Sequence, residues 1–205
     1  MKPYYQDQNV TIYHGDCRQI VPQLGNFDLL LTDPPYGLGK HLAPSSKGEW
    51  AKGFSKELEW DKTIVPNWLI HQAIDLSSKS IIWGGNYYEL PIARGWFGWD
   101  KIQEHSSGHY ELAWTNIDLP TRMFRQSRVQ AYGSMSKQHP TQKPVELMQW
   151  CINLAGDVQT ILDPFAGSGT TGRAAKDLGK QAVLVEMDEQ YCEIAAQRMA
   201  QEILL

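Results

Sequence analysis

Ile161-Leu162-Asp163-Pro164-Phe165-Ala166-Gly167-Ser168-Gly169-Thr170-Thr171 is the stretch on which the reading of the fold turns. An apolar run ends in an acid and a proline, passes through a glycine-rich turn and opens into helix-forming residues. Proline cannot continue a central strand, so the run stops at Asp163. Strand, tight turn and helix form the unit of an open parallel sheet. Its glycines let backbone approach a ligand, and the free N–H groups of the helix's first turn point at it. A phosphate loop would place Lys before Ser or Thr, and a dinucleotide fold would space its glycines Gly-x-Gly-x-x-Gly; neither pattern is present. One strand later, Val183-Leu184-Val185-Glu186 ends in a carboxylate able to accept from two ribose hydroxyls. Together these suit a nucleoside ligand whose tail carries an amino acid and a sulfonium instead of a phosphate.

Outward from this stretch, strand-like runs alternate with amphipathic helical runs, the pattern of a parallel α/β sheet. Strands are expected at Val10–Tyr13, Phe27–Thr32, Ser80–Trp83, Trp96–Trp99, Tyr110–Trp114, Gln159–Leu162 and Gln181–Val185. Helices are expected at Asn67–Leu76, Pro144–Leu154, Thr170–Leu178 and Glu189–Ile203. Residues 37–63 and 117–142 resist assignment, being polar and rich in Gly, Ser, Lys or Arg. Structureless stretches of that length inside a compact domain are functional or disordered.

The 205 residues fit a single catalytic domain, and 42% hydrophobic with 11% aromatic residues supply a core. No run approaches a membrane span and the N-terminus has no signal-type apolar stretch, so the chain reads as cytoplasmic. Cys17, Cys151 and Cys192 are odd in number and irregularly spaced, supporting neither a disulfide framework nor a metal site. The net charge of −4 argues against nucleic acid, but the charge is segregated. Arg122, Arg125, Arg128, Lys137 and Lys143 fall in a stretch with no acid between Asp118 and Glu146, whereas the chain from Asp157 onward is acidic. On charge alone, the basic stretch is simply a solvated loop.

A second motif, Leu31-Thr32-Asp33-Pro34-Pro35-Tyr36-Gly37, closes an apolar strand at the end where open α/β sheets carry their chemistry. Taken alone it reads equally as a turn with Tyr36 in the core. Its residue types also suit methylation of an exocyclic amino group, whose lone pair is delocalised into the ring. Asp33 and the Pro34 carbonyl can accept the two N–H bonds and favour a pyramidal nitrogen for in-line transfer. Pro34 and Pro35 stiffen those acceptors, and Tyr36 offers a stacking face to a flipped-out base.

Asp33-Pro34-Pro35-Tyr36 together with Asp163–Thr171 resembles the amino-methylating DNA methyltransferases, N6-adenine and N4-cytosine. The catalytic motif precedes the cofactor motif, as in the permuted β group, and His139-Pro140-Thr141-Gln142-Lys143-Pro144 is similar to that group's further cofactor motif. The resemblance runs from about Tyr13 to Arg198. It implies a Rossmann-like S-adenosylmethionine-dependent methyltransferase fold: a mostly parallel seven-stranded sheet with one antiparallel hairpin, here Trp96–Trp99 with Tyr110–Trp114. It assigns Asp163, Phe165, Ala166, Gly167, Gly169, Thr170 and Thr171 to the cofactor pocket and Glu186 to the ribose. Asp16 and Cys17 would meet the cofactor's adenine, with Asp16 accepting from its amino group; Thr141 and Lys143 would bind the methionine end. Asp33, Pro34, Pro35 and Tyr36 form the catalytic set.

The implied partner is double-stranded DNA, with a homodimer as the group's assembly. Residues 37–63 would fold over the base pocket, with Lys47 and Lys52 toward DNA, and residues 117–142 would form a short recognition loop. Arg122, Arg125 and Arg128, three residues apart, would share a helix face and, with Lys137, contact phosphates. Asp33 and Tyr36 favour adenine N6, since the cytosine enzymes more often begin the tetrapeptide with Ser. Protein glutamine methylation uses an Asn-Pro-Pro-Tyr turn in the opposite motif order. RNA amino-methylation and a non-catalytic binding module share the fold, though the latter would be expected to lose Asp33 or the glycines.

Overall fold

The computed structural model describes residues 1–37, 64–102, 109–127 and 142–201. In chain order these form β1 (Tyr5–Gln6), β2 (Val10–His14), α1 (Cys17–Ile20), β3 (Phe27–Thr32), α2 (Asn67–Asp75), β4 (Ser77–Trp83), β5 (Trp96–Asp100), β6 (Tyr110–Thr115) and β7 (Arg122–Arg125). They continue with α3 (Val145–Ala155), β8 (Thr160–Asp163), α4 (Thr170–Asp177), β9 (Gln181–Glu186) and α5 (Glu189–Ala200). Short 3-10 turns lie at Val21–Gln23 and Gly85–Tyr87.

One mixed sheet runs β1-β2-β9-β8-β3-β4-β6-β5-β7. The strands from β2 to β4 are mutually parallel, while β6 runs antiparallel to both β4 and β5. The α/β class and the β5–β6 hairpin pairing agree with the sequence. The strand count does not: nine strands form among the described residues, against seven expected. The two extra strands are at the edges. β1 has only 2 residues, too few for a period-two pattern. β7, Arg-Met-Phe-Arg, shows no apolar run of its own and gains its conformation from pairing along β5.

Side chains on a strand alternate between faces, and β3 shows the consequence. Leu29 and Leu31 enter a core with residues of α3, α4 and α5, while Leu30 enters a second core with Leu69, Ile70 and Ala73 of α2. Both faces are thus covered, which is why the central strands read as continuous apolar runs.

Two short ties clamp β3 to β8. At their N-terminal ends Asp28 accepts from the backbone N–H groups of Gln159 (2.8 Å) and Thr160 (2.9 Å). At their C-terminal ends the Thr32 hydroxyl donates to Asp163 at 2.7 Å. The strand carrying the Asp-Pro-Pro-Tyr turn and the strand carrying the glycine turn are therefore neighbours in fixed register. No described helix is long and apolar enough to cross a membrane.

Candidate active site

The turn after β3 leaves the sheet against a glycine-permitted contact. Gly84, after β4, has φ +65°, and a Cβ there would lie 1.9 Å from the Tyr36 ring. The Tyr36 ring stacks on Tyr87, with centroids 5.0 Å apart and planes 24° from parallel. Tyr36 donates its hydroxyl to Asp33 Oδ1, and Tyr88 donates its own to the Pro35 carbonyl. The turn is thus held at both its acid and its second proline.

Lys143 is the unexpected member. Assigned by resemblance to the methionine end of a cofactor, its ammonium instead contacts Asp33 Oδ2 directly and lies 3.0 Å from Glu111 Oε2. Glu111 in turn pairs with Lys101 at 2.6 Å. Lys101 and Lys143 are 1% and 4% exposed, so both cations are out of bulk water and depend on these carboxylates. Burial pushes the Asp33 carboxyl above the usual carboxylate range; Lys143 opposes this and Glu111 adds to it. Burial also acts on Glu111, but Lys143 and Lys101 outweigh it and hold that carboxyl down at about 2. For Lys143, burial is overcome by Asp33 and Glu111, and the ammonium sits above its ordinary value.

The glycine turn meets this site from β8. Asp163 is buried, accepting from Thr32 and, at 3.1 Å, from the Phe165 N–H; burial lifts its carboxyl to about 6 against the pull of Thr171 and Thr32. Asp163 thus ties the start of the glycine turn to the end of β3. Gly167 has φ +51° with open space where a Cβ would stand, so its backbone is accessible to a ligand. Gly169, at φ +78°, permits close packing instead: its Cβ would lie 2.8 Å from that of Ala195 on α5. Thr170 and Thr171 are buried at the start of α4, where Thr170 accepts from Arg198 at 2.9 Å. Ala166 is buried and Phe165 packs against the α2-side core. Glu186 accepts the Gly167 N–H and the Asp188 N–H, both at 2.8 Å, which fixes its carboxylate beside the turn.

Asp16 caps α1 by accepting the Arg18 N–H at 2.9 Å, and the Arg18 guanidinium engages both its oxygens. That partner was not anticipated, and it competes for the acceptor assigned to an adenine amino group. Cys17 follows it on α1, partly buried, its thiol pushed by burial up to about 11. Thr141, Lys47, Lys52, Arg128 and Lys137, and most of the two loops at 37–63 and 117–142, lie outside the described residues.

Arg122 and Arg125 do not share a helix face. Both lie on β7, an edge strand, where residues three apart project to opposite faces. Arg125 pairs with Asp100 of β5 at 2.9 Å. Because β7 runs parallel to β5, and so in the same sense as β3, it brings Arg125 to the edge of the sheet that carries Asp33. Four strand spacings separate β7 from β3, roughly 19 Å.

Glu111, Lys101, Tyr87, Tyr88 and Arg18 escaped the sequence reading. For Glu111 a signal existed: an acid inside Tyr-Glu-Leu-Ala-Trp-Thr, on an interior strand. A charge at such a position needs a buried partner.

Residues 96–197, from β5 into α5, match the DNA methylase family of N6 and N4 type. The chain belongs to the amino-methylating DNA methyltransferases. It is 26% identical to the type II methyltransferase M2.LlaDCHI of Lactococcus lactis subsp. cremoris, over 97% of this chain and 92% of that one. It is likewise 26% identical to M2.DpnII of Streptococcus pneumoniae, over 98% and 93%. The alignment with the Lactococcus protein runs over 254 positions, more than the 205 residues present here, so the relative carries dozens of residues this methyltransferase lacks. Among solved structures, the cytosine-N4-specific PvuII DNA methyltransferase superposes with a TM-score of 0.69 at 15% identity, covering 100% of this chain and 91% of that one. The M1.HpyAVI–SAM complex gives 0.59 at 21% identity, covering 94% and 100%. At these identities the two structures establish the shared fold.

Proposed function

We propose that this methyltransferase transfers a methyl group from S-adenosylmethionine to an exocyclic amino nitrogen in duplex DNA, and that the nitrogen is N6 of adenine. The observation that carries the reading is the Thr32–Asp163 bond of 2.7 Å, which braces the Asp33 turn against the open glycine turn. A methyl acceptor held by one turn thus stands beside a methyl donor held by the other. The open space beside Gly167 and the ordered Glu186 carboxylate fit the cofactor. S-adenosylmethionine, when bound, supplies an electrophilic methyl group.

The chain's own residues supply the rest. Phe165, Ala166 and Gly167 would hold the nucleoside and Glu186 its ribose, with Asp16 and Cys17 toward the adenine. Thr141 and Lys143 are proposed for the methionine end, a duty Lys143 can take only by relaxing its hold on Asp33 or Glu111. Asp33 and the Pro34 carbonyl accept the two amino hydrogens, leaving the nitrogen lone pair localised toward the methyl donor. Tyr36, stiffened by its stack on Tyr87, serves as a platform for the flipped base. The proton released after transfer passes to Asp33 or to water. The interval at 117–142, short for a recognition domain of its own, accords with limited sequence recognition, or with help from a second subunit.

The test is transfer of labelled methyl from S-adenosylmethionine to unmethylated genomic DNA by the wild type and Asp33→Ala, followed by mass spectrometry of the nucleosides. N6-methyl-2′-deoxyadenosine from the wild type, with at least about a hundredfold less from the variant, is expected. N4-methylcytosine would move the target base while keeping the mechanism. Absence of label in DNA would overturn the reading and direct the same assay to RNA.

A further inference from the structure

Lys101, Glu111, Lys143 and Asp33 form an alternating chain of charge that reaches from the end of β5, through β6 and the residues ahead of α3, to the catalytic turn. Its links are 2.6 Å from Lys101 to Glu111, 3.0 Å from Glu111 to Lys143, and direct contact from Lys143 to Asp33. Two cations and two anions balance, which removes the cost of an unpaired buried charge. A balanced cluster does more than satisfy itself when one end is a reacting group. Were Lys143 paired with Asp33 alone, its whole positive charge would draw on the acceptor oxygens that a substrate amino group needs. Glu111 shares that ammonium and fixes its place from the opposite side, while Lys101 fixes Glu111. Lys143 is also anchored over the ring of Trp83, 5.8 Å from its centroid, and Lys101 over that of Trp99, at 5.5 Å.

We propose that Glu111 is a positioning residue for methyl transfer: through Lys143 it sets where the Asp33 carboxylate points and how much of its charge remains available to the target amino group. This rests on the function proposed above for Asp33. Among the described residues, the titratable groups facing Asp33 are the Tyr36 hydroxyl on its own turn, Lys143 ahead of α3, Glu111 on β6 and Asp163 at the end of β8. Lys101 acts on Asp33 through Glu111.

Two variants push Asp33 in opposite directions. Glu111→Gln removes a negative charge, so Asp33 should protonate at lower pH; Lys101→Gln removes a positive charge, so Asp33 should protonate at higher pH. Glu111→Asp keeps the charge. The measurements are kcat and both KM values across the acid limb, with a carbon-13 carboxyl titration of Asp33 in the protein without cofactor or DNA. Expected are a kcat about tenfold lower in Glu111→Gln, KM values within about twofold, acid limbs displaced in opposite senses in the two Gln variants, and an undisplaced limb with partial recovery of kcat in Glu111→Asp. If Glu111→Gln does not fold, Lys101→Gln carries the same test through the sign of its shift. Unmoved Asp33 titrations, or losses of kcat that track thermal stability with no displaced limb, would overturn the proposal. If the wild type transfers no methyl at all, the function fails instead, and the carboxyl titration still reads the coupling of Glu111 to Asp33.

Discussion

Thr32 gives its hydroxyl proton to Asp163 across two strands, and through that one bond a buried acid becomes a brace. Asp163 is 3% exposed, and burial lifts its carboxyl from an ordinary 3.8 to about 6. Between those values the folded state holds a proton that the unfolded chain has released. The stability due to this group is therefore complete below 3.8 and falls as pH rises through about 6, by ~3 kcal/mol. Asp33 and Glu186, also shifted upward by burial, act in the same sense. Glu111, held at about 2 against an ordinary 4.5, acts in the opposite sense: its contribution is complete above 4.5 and is lost as pH falls toward about 2. Asp163→Asn keeps an acceptor for Thr32 and for the Phe165 N–H but cannot titrate. Denaturant unfolding at about pH 4 and about pH 7 should show a smaller difference in the variant than in the wild type; equal differences would remove the group from the account. At this scale the sequence marked out Asp33, Tyr36 and Gly167, because each stands in a short motif at the end of an apolar strand. It did not display the partners of Lys143 or Asp16. Such pairings depend on which strands lie side by side, or on a guanidinium folding back onto its own helix cap.

β7 shows how an element can be misjudged from spacing. Arginines at 122, 125 and 128 repeat every three residues, as on a helix face, yet Phe97↔Arg122 through Asp100↔Arg125 is a parallel strand register. Backbone pairing with β5 outweighs a weak local preference, since edge-strand conformation is set by what it pairs with. The consequence for function is that the two described arginines are not equivalent. Arg125 shares its charge with Asp100, whereas Arg122 sits on the other face of the strand and is exposed. Arg122→Ala should lower the slope of log affinity for duplex DNA against log salt by about one unit, and Arg125→Ala by less. Salt titrations of DNA binding by both variants check this, and identical slopes in all three proteins would place β7 outside the DNA contact. The interior elements were legible. β3, β4, β8 and β9 are apolar runs bounded by Pro, Gly or an acid, and α4 and α5 follow them with helical periodicity.

For the molecule as a whole, the β3–β8 clamp brings segments more than a hundred residues apart in sequence to one edge of the sheet, beside the glycine turn and Glu186, the edge proposed above for the cofactor. A ligand bound only by the folded edge must raise its melting temperature. S-adenosylhomocysteine at about a hundred times its Kd should stabilise the protein by ~2.7 kcal/mol, a rise of roughly 5–10 °C for a chain of this size. Calorimetric or dye-monitored melting with and without the ligand reads this directly, and an unshifted melt would argue against the assigned cofactor edge. The sequence by itself determined the α/β class, the order of the catalytic and cofactor motifs, and the identity of the acids at the ends of β3, β8 and β9. Those features are local: a strand that must stop, a turn that needs glycine, an acid one strand on. Only the tertiary structure decided the nine-strand order, the strand at Arg122–Arg125, and the buried chain from Lys101 to Asp33. Each of these is a pairing between distant segments, and its energy exists only once the sheet has brought them within reach.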